Sequence, residues 1–135
     1  MQKLHIPPTS TTPEICFSPE DNTFMIRGTS SPEDVRALYY PVIEWARLFI
    51  DELIEKKSDR YSKENPLRLQ IDSNYFNSSS AKFFYDILLE FKRLAPFEIP
   101  LVVEWFYDKE DIDLQEAGSD IALLANMEFT FITKN

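Results

Sequence analysis

The sequence is poor in the residues that build the commonest catalytic and cofactor sites. It has one cysteine, Cys16, and one histidine, His5, so no Ser-His-Asp, Cys-His or histidine-rich metal constellation can be assembled. Its two glycines cannot supply a GxGxxG motif or a phosphate-binding loop. A lone cysteine also excludes an internal disulfide and is typical of a reducing compartment. Enzymes that depend on these motifs are therefore disfavoured, and Cys16 is interpreted as a packing or surface residue.

Basic charge and long apolar runs are equally scarce. The chain has 14 basic and 23 acidic side chains, a net charge of −9, which repels nucleic-acid backbones and anionic membrane surfaces. No apolar stretch approaches the roughly 18 residues of a membrane span, and the first residues lack the apolar core of a signal peptide. We therefore predict a cytoplasmic protein that binds neither nucleic acid nor membranes.

What the chain does have is enough apolar and aromatic residues for one packed core. Of its 135 residues, 44% are hydrophobic and 14% aromatic, as expected for a single compact domain. Residues 1–13 are rich in Pro, Ser and Thr and predict an extended N-terminal arm. Residues 14–135 predict a single α/β domain.

Alternating apolar residues predict five strands. Ile15 and Phe17 with Phe24 and Ile26 indicate a hairpin whose second strand ends at Gly28. Residues 67–75 form a strand with Leu67, Leu69, Ile71, Ser73 and Tyr75 on its inner side, residues 99–107 form the central strand, and Phe129 and Phe131 mark the last one.

Three helical patterns separate these strands. Ser31-Pro32 predicts the start of a long helix, in which Pro41 predicts a kink or a junction of two helices. A second helix begins near Lys82, and a third carries Leu114, Ala117, Ile121 and Leu124 on one side despite Gly118. The order β-β-α-β-α-β-α-β predicts a five-stranded mixed sheet, because strands joined through helices usually lie parallel and an opening hairpin adds an antiparallel edge.

Four residues with side-chain hydrogen-bonding groups, Asn77, Ser78, Ser79 and Ser80, lie where the second of these helices follows a strand. An N-cap needs only one such oxygen, so the surplus hydroxyls are candidates for a regulatory phosphate, which the positive end of a helix dipole favours. The alternative is a capped helix with polar loop residues, in a constitutive protein-interaction module without control by phosphorylation.

A second polar cluster consists of carboxylates, Asp108, Glu110, Asp111, Asp113 and Glu116. Its spacing does not match an EF-hand loop, and acids that enter a helix complement its dipole. A structural or partner-facing role is favoured, and a metal-dependent enzyme stays as an alternative. Tyr39, Tyr40 and Trp45 are interpreted as core packing or as anchors at a protein interface.

Five segments together resemble the SiaC family of bacterial regulatory phosphoproteins. They are Thr12-Pro13, the run GTSSPED at 28–34, YYPVIEW at 39–45, YFNSSSAK at 75–82 and WFYDKEDIDLQEAG at 105–118. The resemblance covers nearly the whole chain and follows the family's order. It implies a fold similar to the STAS-type anti-sigma-factor antagonists.

The resemblance also implies a function. Family members are phosphorylated on the threonine of an Asn-Thr-Ser-Ser element, where this chain has Ser78, with Ser79 and Ser80 as alternatives. The unphosphorylated form binds and activates a diguanylate cyclase, which links it to cyclic di-GMP and biofilm formation, while a cognate Ser/Thr kinase and a PPM-type phosphatase set its state. No catalytic residue, metal or cofactor is expected. The predicted partner-binding residues are Asn77, Ser78, Ser79, Lys82, Tyr39, Tyr40, Asp108 and Asp111.

Overall fold

The computed structural model describes residues 1–134, which form a six-stranded mixed sheet with three α-helices and one short 3-10 helix. The strands lie in the sheet in chain order; neighbouring strands pair antiparallel among the first three and parallel among the last four. The elements are β1 (Leu4–Ile6), β2 (Glu14–Ser18), β3 (Thr23–Ser30), α1 (Val35–Glu55), β4 (Leu67–Phe76), α2 (Ser78–Lys92), the 3-10 helix (Ala95–Phe97), β5 (Leu101–Asp108), α3 (Ile112–Ala125) and β6 (Thr130–Lys134).

The prediction of a single α/β domain with a mixed sheet is confirmed, but the predicted number of five strands is wrong. The additional strand, β1, forms inside the predicted arm, where Leu4 and Ile6 pair with Phe17 and Ile15 of β2. Both side chains pack against the core, so their burial stabilises a strand that the surrounding prolines concealed in the sequence. The opening hairpin of β2 and β3 is confirmed.

All three helices pack on the same face of the sheet. In α1, Trp45 and Phe49 stack at 5.1 Å between ring centroids, and Phe49 stacks on Phe24 of β3 at 5.2 Å. In α2, Phe84 contacts Phe76 of β4 at 5.1 Å. α3 reaches the same face through Trp105 of β5, whose indole N–H donates to the Leu114 carbonyl at 3.1 Å. The core therefore lies between one sheet face and one layer of helices.

The long first helix differs from its prediction at its start and at its proline. α1 begins at Val35, and its N-cap is Asp34, which accepts from the Ala37 amide at 3.1 Å. Ser31, which the sequence predicts as the N-cap at the helix start, instead donates its amide to the Thr11 carbonyl. The helix continues through Pro41 as one element, so the alternative of two separate helices is wrong. Packing of its buried side overrides the local effect of the proline.

Three further expectations about position are wrong. β3 does not end at Gly28, which lies in the left-handed region at φ 117° beside a register shift, and the strand continues to Ser30. β5 is not the central strand, because β3 and β4 occupy the middle of the sheet. Leu124 does not face the core, since it is 72% exposed and Ala122 and Ala125 lie inward instead.

Candidate functional site

A register shift between β3 and β4 determines where the candidate site begins. Gly28 pairs with Ser73, whereas Thr29 pairs with Tyr75, so Asn74 is an extra residue in β4. The insertion reverses the alternation. Tyr75, predicted to face inward, is 56% exposed, and Phe76 turns to the core and packs against Trp105 at 5.8 Å.

Asn77 caps α2 directly after this strand. Its side-chain oxygen accepts from the Ser80 amide at 2.9 Å and from the Ser79 hydroxyl at 3.1 Å. The helix begins at Ser78, one turn before the predicted start near Lys82. Ser78 and Ser79 are both exposed. Among the side-chain hydrogen bonds of residues 1–134, none involves the Ser78 hydroxyl, so that group lies in solvent at the first position of the helix.

Ser80, in contrast, belongs to a buried hydroxyl network. Its hydroxyl donates to the Ser30 carbonyl at 3.0 Å and accepts from the Ser30 hydroxyl at 2.8 Å. The Ser30 hydroxyl also lies 2.6 Å from the Tyr39 hydroxyl, and all three residues are fully buried. Burial raises the pKa of Tyr39 to about 12, although its hydrogen bonds with Ser30 and Ser80 lower it in part. The network joins β3, α1 and α2 beneath the exposed serines.

This network decides the placement of two predicted site residues. Tyr39 has no exposed surface, so a direct contact with a partner does not fit this conformation. Ser80 is equally inaccessible, so it does not fit the alternative of a phosphorylated hydroxyl. Tyr40 is 56% exposed and packs edge-on against Phe83 of α2 at 5.7 Å. Of the two tyrosines, only Tyr40 is exposed and able to contact a partner in this conformation.

Lys82 lies one turn after Ser78 on the exposed side of α2. Its ammonium group is 2.7 Å from Asp86 and 5.0 Å from the centre of the Phe83 ring. Residues four apart lie on the same face of a helix, so Lys82 and Ser78 share one exposed surface with Tyr40, which contacts the same Phe83 ring.

The carboxylate cluster lies at the start of α3. Asp111 is the N-cap and accepts from the Leu114 amide at 3.0 Å, while Asp108 accepts from the Glu110 amide at 3.1 Å. Within the part of the chain that the structure describes, no group of three His, Cys, Asp or Glu side chains is arranged to hold a metal ion.

Two adjoining pockets connect the cluster with the end of β4. One, of about 540 Å³, is lined by residues that include Asp108, Asp111 and Lys134, and the other, of about 340 Å³, includes Tyr75 and Phe76. They share Asn74, Asp111 and Leu114. The structure thus places Asp108 and Asp111 in a groove whose other end is lined by Phe76, the residue before Asn77.

Sequence patterns missed three residues of this region: Ser30, Asn74 and Tyr75. The bulge that makes Asn74 an extra residue arises from pairing between strands, which alternation along one strand cannot reveal. A glycine at position 28 with β-branched and hydroxyl neighbours was the available signal of an irregular strand.

Comparison with known proteins gives one consistent result. A family model described as SiaC family regulatory phosphoprotein matches residues 6–134. An uncharacterised protein of Pseudomonas aeruginosa strain UCBPP-PA14 is 28% identical over 120 residues, which cover 89% of this chain and 87% of the relative.

Solved structures agree with the family match. The crystal structure of apo-SiaC from Pseudomonas aeruginosa is similar over 100% of both chains, with a TM-score of 0.78 and 27% identity. A second similar chain, at 28% identity and a TM-score of 0.77 over 96% of this chain and 97% of that one, is in the crystal structure of the diguanylate cyclase SiaD in complex with its activator SiaC from Pseudomonas aeruginosa.

Proposed function

Because the chain belongs to the SiaC family of regulatory phosphoproteins, we propose that it is a non-enzymatic switch controlled by phosphorylation of Ser78. Its unphosphorylated form binds and activates a diguanylate cyclase, and the phosphate ends that interaction. The similar SiaC from Pseudomonas aeruginosa, which is an activator in complex with the cyclase SiaD, supports the choice of partner.

The observation that carries the proposal is the position of the Ser78 hydroxyl. It lies at the first residue of α2, exposed to solvent, and makes none of the side-chain hydrogen bonds found in residues 1–134. Ser79 is also exposed, but its hydroxyl donates to Asn77. Ser80 is buried. Of the three candidate serines, Ser78 is therefore the one that a kinase can reach without breaking a hydrogen bond.

A phosphate at Ser78 would act on the surface of the protein and leave the fold in place. It adds about −1.5 to −2 charges, while its favourable interaction with the helix dipole is about 0.3–1 kcal/mol at an exposed site. Asn77 already caps the helix, so the first turn is ordered before phosphorylation. Steric block and charge repulsion at a docked partner are then the dominant effects. The partner surface consists of Ser78, Ser79, Lys82 and Tyr40, with Asp108 and Asp111 in the adjacent groove.

The rest of the proposed cycle rests on what the family resemblance implies. A Ser/Thr kinase adds the phosphate, a PPM-type phosphatase removes it, and the switch operates in the cytoplasm. No helix among residues 1–134 is both long and apolar enough to cross a membrane. The likeness to STAS-type antagonists stays a prediction.

The test compares Ser78→Asp with Ser78→Ala. The aspartate variant should bind the cyclase at least about tenfold more weakly and fail to activate it, because even one added charge and the larger side chain oppose docking. The alanine variant should bind and activate like the wild type. Binding is measured by calorimetry, and activation by the rate of cyclic di-GMP synthesis.

Ser119→Asp is the matched control, because Ser119 is exposed on α3 and the change adds the same charge. It should leave binding unchanged within about twofold. Equal binding by Ser78→Asp and Ser78→Ala would contradict the switch. Intact mass after incubation with the kinase should give one phosphate on the wild type and none on Ser78→Ala.

A further inference from the structure

The face of the sheet opposite the helices is uncovered. Paired residues on neighbouring strands share a face, and the pairs Cys16 with Met25 and Phe106 with Ile132 point away from the helices. All four are half-buried, whereas Phe17, Phe24 and Trp105 on the other face are fully buried. No helix or strand of residues 1–134 packs over this open face, which we define by the outward residues of β2–β6.

An uncovered parallel sheet is unusual. Sheets made of parallel strands are normally covered on both faces, since βαβ connections place helices on both sides. Here four parallel strands, β3–β6, lie in chain order, and all three crossovers use one side. The open face presents apolar groups at two places, around Met25 and around Phe106, which is typical of a surface that another sheet can cover.

The three basic side chains of the open face are already paired within it. Each base contacts an acid on another strand, at 2.7 Å for Arg27 with Glu14, 2.8 Å for Arg68 with Glu104 and 2.5 Å for Lys134 with Asp72, a pair that spans β5. Asp108, at the end of β5, is a fourth acid on this face. Three bases and four acids give the open face a net charge of −1. The whole chain carries −9, so −8 lies elsewhere.

We propose that the open face is the contact surface of a homodimer in which two sheets pack face to face. Two copies that approach through any other surface bring together parts of the charge of −8 that each carries outside this face. The open face is nearly neutral, contains both signs and presents apolar groups, so contact through it adds less local repulsion than contact through the rest of the surface. The same patch on both copies gives the two-fold symmetry that homodimers usually have.

Charge also argues against other occupants. A basic partner would be drawn to the surfaces that carry −8, and an acidic partner would gain nothing from bases that are already paired with neighbouring acids. Dimerisation leaves the proposed phosphorylation site free, because Ser78 lies at the start of α2, a helix that packs on the opposite side of the sheet. Asp108 is the residue that the open face shares with the proposed cyclase surface.

Sedimentation equilibrium of the full chain between about 1 μM and about 1 mM tests the proposal. The wild type should change from monomer to dimer within that range. Ile132→Lys should raise the dissociation constant by at least about tenfold, because it puts an unpaired charge into the packed sheets. Leu124→Lys is the matched control: its side chain is 72% exposed on α3, and the constant should stay within about twofold. Unfolding curves confirm that both variants fold.

Charge reversal and salt add two independent readouts. Arg27→Glu should weaken the dimer, and the double variant Glu14→Arg with Arg27→Glu should restore it, because the second change renews the pair. Added NaCl should strengthen the dimer by screening the repulsion between the two negatively charged copies. The proposal would be overturned if the wild type stayed monomeric up to about 1 mM. It would also be overturned if Leu124→Lys disrupted the dimer and Ile132→Lys did not. A monomer in which Ile132→Lys abolishes cyclase binding would overturn it as well, since the face would then belong to that partner.

Discussion

At the scale of single residues, Asn77 fixes the position of the candidate phosphorylation site. Its side-chain oxygen satisfies the Ser80 amide, one of the N–H groups that a helix leaves without an internal partner. Its own amide donates to the Ser30 carbonyl at 3.0 Å, which ties the start of α2 to the end of β3. The serine beside it is therefore displayed by a cap that is itself anchored to the sheet.

Asn77→Ala should lower the free energy of unfolding by about 1 kcal/mol, because the cap is lost while the main-chain bond to Ser30 stays. Asn77→Asp should keep the cap and stay close to the wild type. Ser79→Ala, an exposed neighbour in the same turn, is the control and should change stability by less than about 0.5 kcal/mol. Urea unfolding measures all three; equal stability of Asn77→Ala and Ser79→Ala would refute the capping role.

The buried hydroxyl of Tyr39 predicts a loss of stability in alkali. Its pKa is about 12 in the folded protein against an ordinary value of 10.0, so the unfolded chain releases this proton first as the pH rises. Ionisation then favours the unfolded state, and the free energy of unfolding falls between about pH 10 and pH 12 by up to about 3 kcal/mol, with no effect below that window.

Tyr39→Phe removes this contribution. The variant should be less stable by about 1 kcal/mol at pH 8, since Ser30 loses a hydrogen-bond partner. Its stability should then decline less steeply than that of the wild type above pH 10. Denaturant unfolding at a series of pH values provides both curves. If the two decline in parallel, Tyr39 does not carry the proton linkage.

Residue-level predictions from the sequence succeeded where the chemistry is local. The cluster at 77–80 predicts a helix cap because capping depends on neighbouring residues, and Asn77 is the cap, although the helix begins one turn before the start predicted near Lys82. Which of its hydroxyls faces solvent was not predictable. That depends on the rotation of α2 against the sheet, which buries Ser80 and exposes Ser78.

At the scale of elements, a glycine decides how closely α3 approaches the sheet. A side-chain carbon at Gly118 would lie 2.6 Å from two atoms of the Trp105 ring. The indole is held there by its hydrogen bond to the Leu114 carbonyl, so it cannot move aside easily. The glycine that weakened the helical pattern in the sequence is thus a requirement of packing between α3 and β5.

Gly118→Ala should destabilise the protein by about 1–2 kcal/mol, because the steric cost of overpacking exceeds the gain in helix propensity. Ser119→Ala on the exposed side of the same helix has no such contact and should be neutral or slightly stabilising. Urea unfolding gives the stabilities, and tryptophan fluorescence should shift in the first variant only. A more stable Gly118→Ala protein would show that the helix can move outward without cost.

Element positions were predictable where one strand or helix carries its own pattern, and not where two elements must pair. The hairpin of β2 and β3 follows from alternation and turn residues. The bulge at Asn74 and the extension of β3 to Ser30 depend on the register between strands. For that reason Tyr75 was assigned to the core although it is exposed.

At the scale of the whole molecule, the net charge of −9 should make stability depend on salt. Raising the ionic strength from about 0.01 M to about 0.15 M shortens the Debye length from about 30 Å to about 8 Å. Self-repulsion of the folded state then weakens, so the free energy of unfolding at pH 7 should rise. Thermal unfolding at low micromolar protein concentration measures the change.

A charge-balanced variant provides the control. Changing three exposed acids, Glu55, Asp120 and Glu128, to lysine alters the net charge from −9 to −3, since each change adds two charges. The gain in stability with salt should shrink accordingly. An equal gain in both proteins would mean that salt acts through something other than net charge.

The sequence alone determined the class of this protein: an acidic α/β domain, without the residues of common catalytic sites, whose motifs identify a regulatory family. These properties follow from composition, local periodicity and short motifs, which need no knowledge of distant contacts. Only the tertiary structure decided that Tyr39 and Ser80 are buried, that Ser78 is displayed and that one sheet face is open. Each of these depends on which surfaces meet when residues far apart in the chain pack together, and burial is a property of that packing.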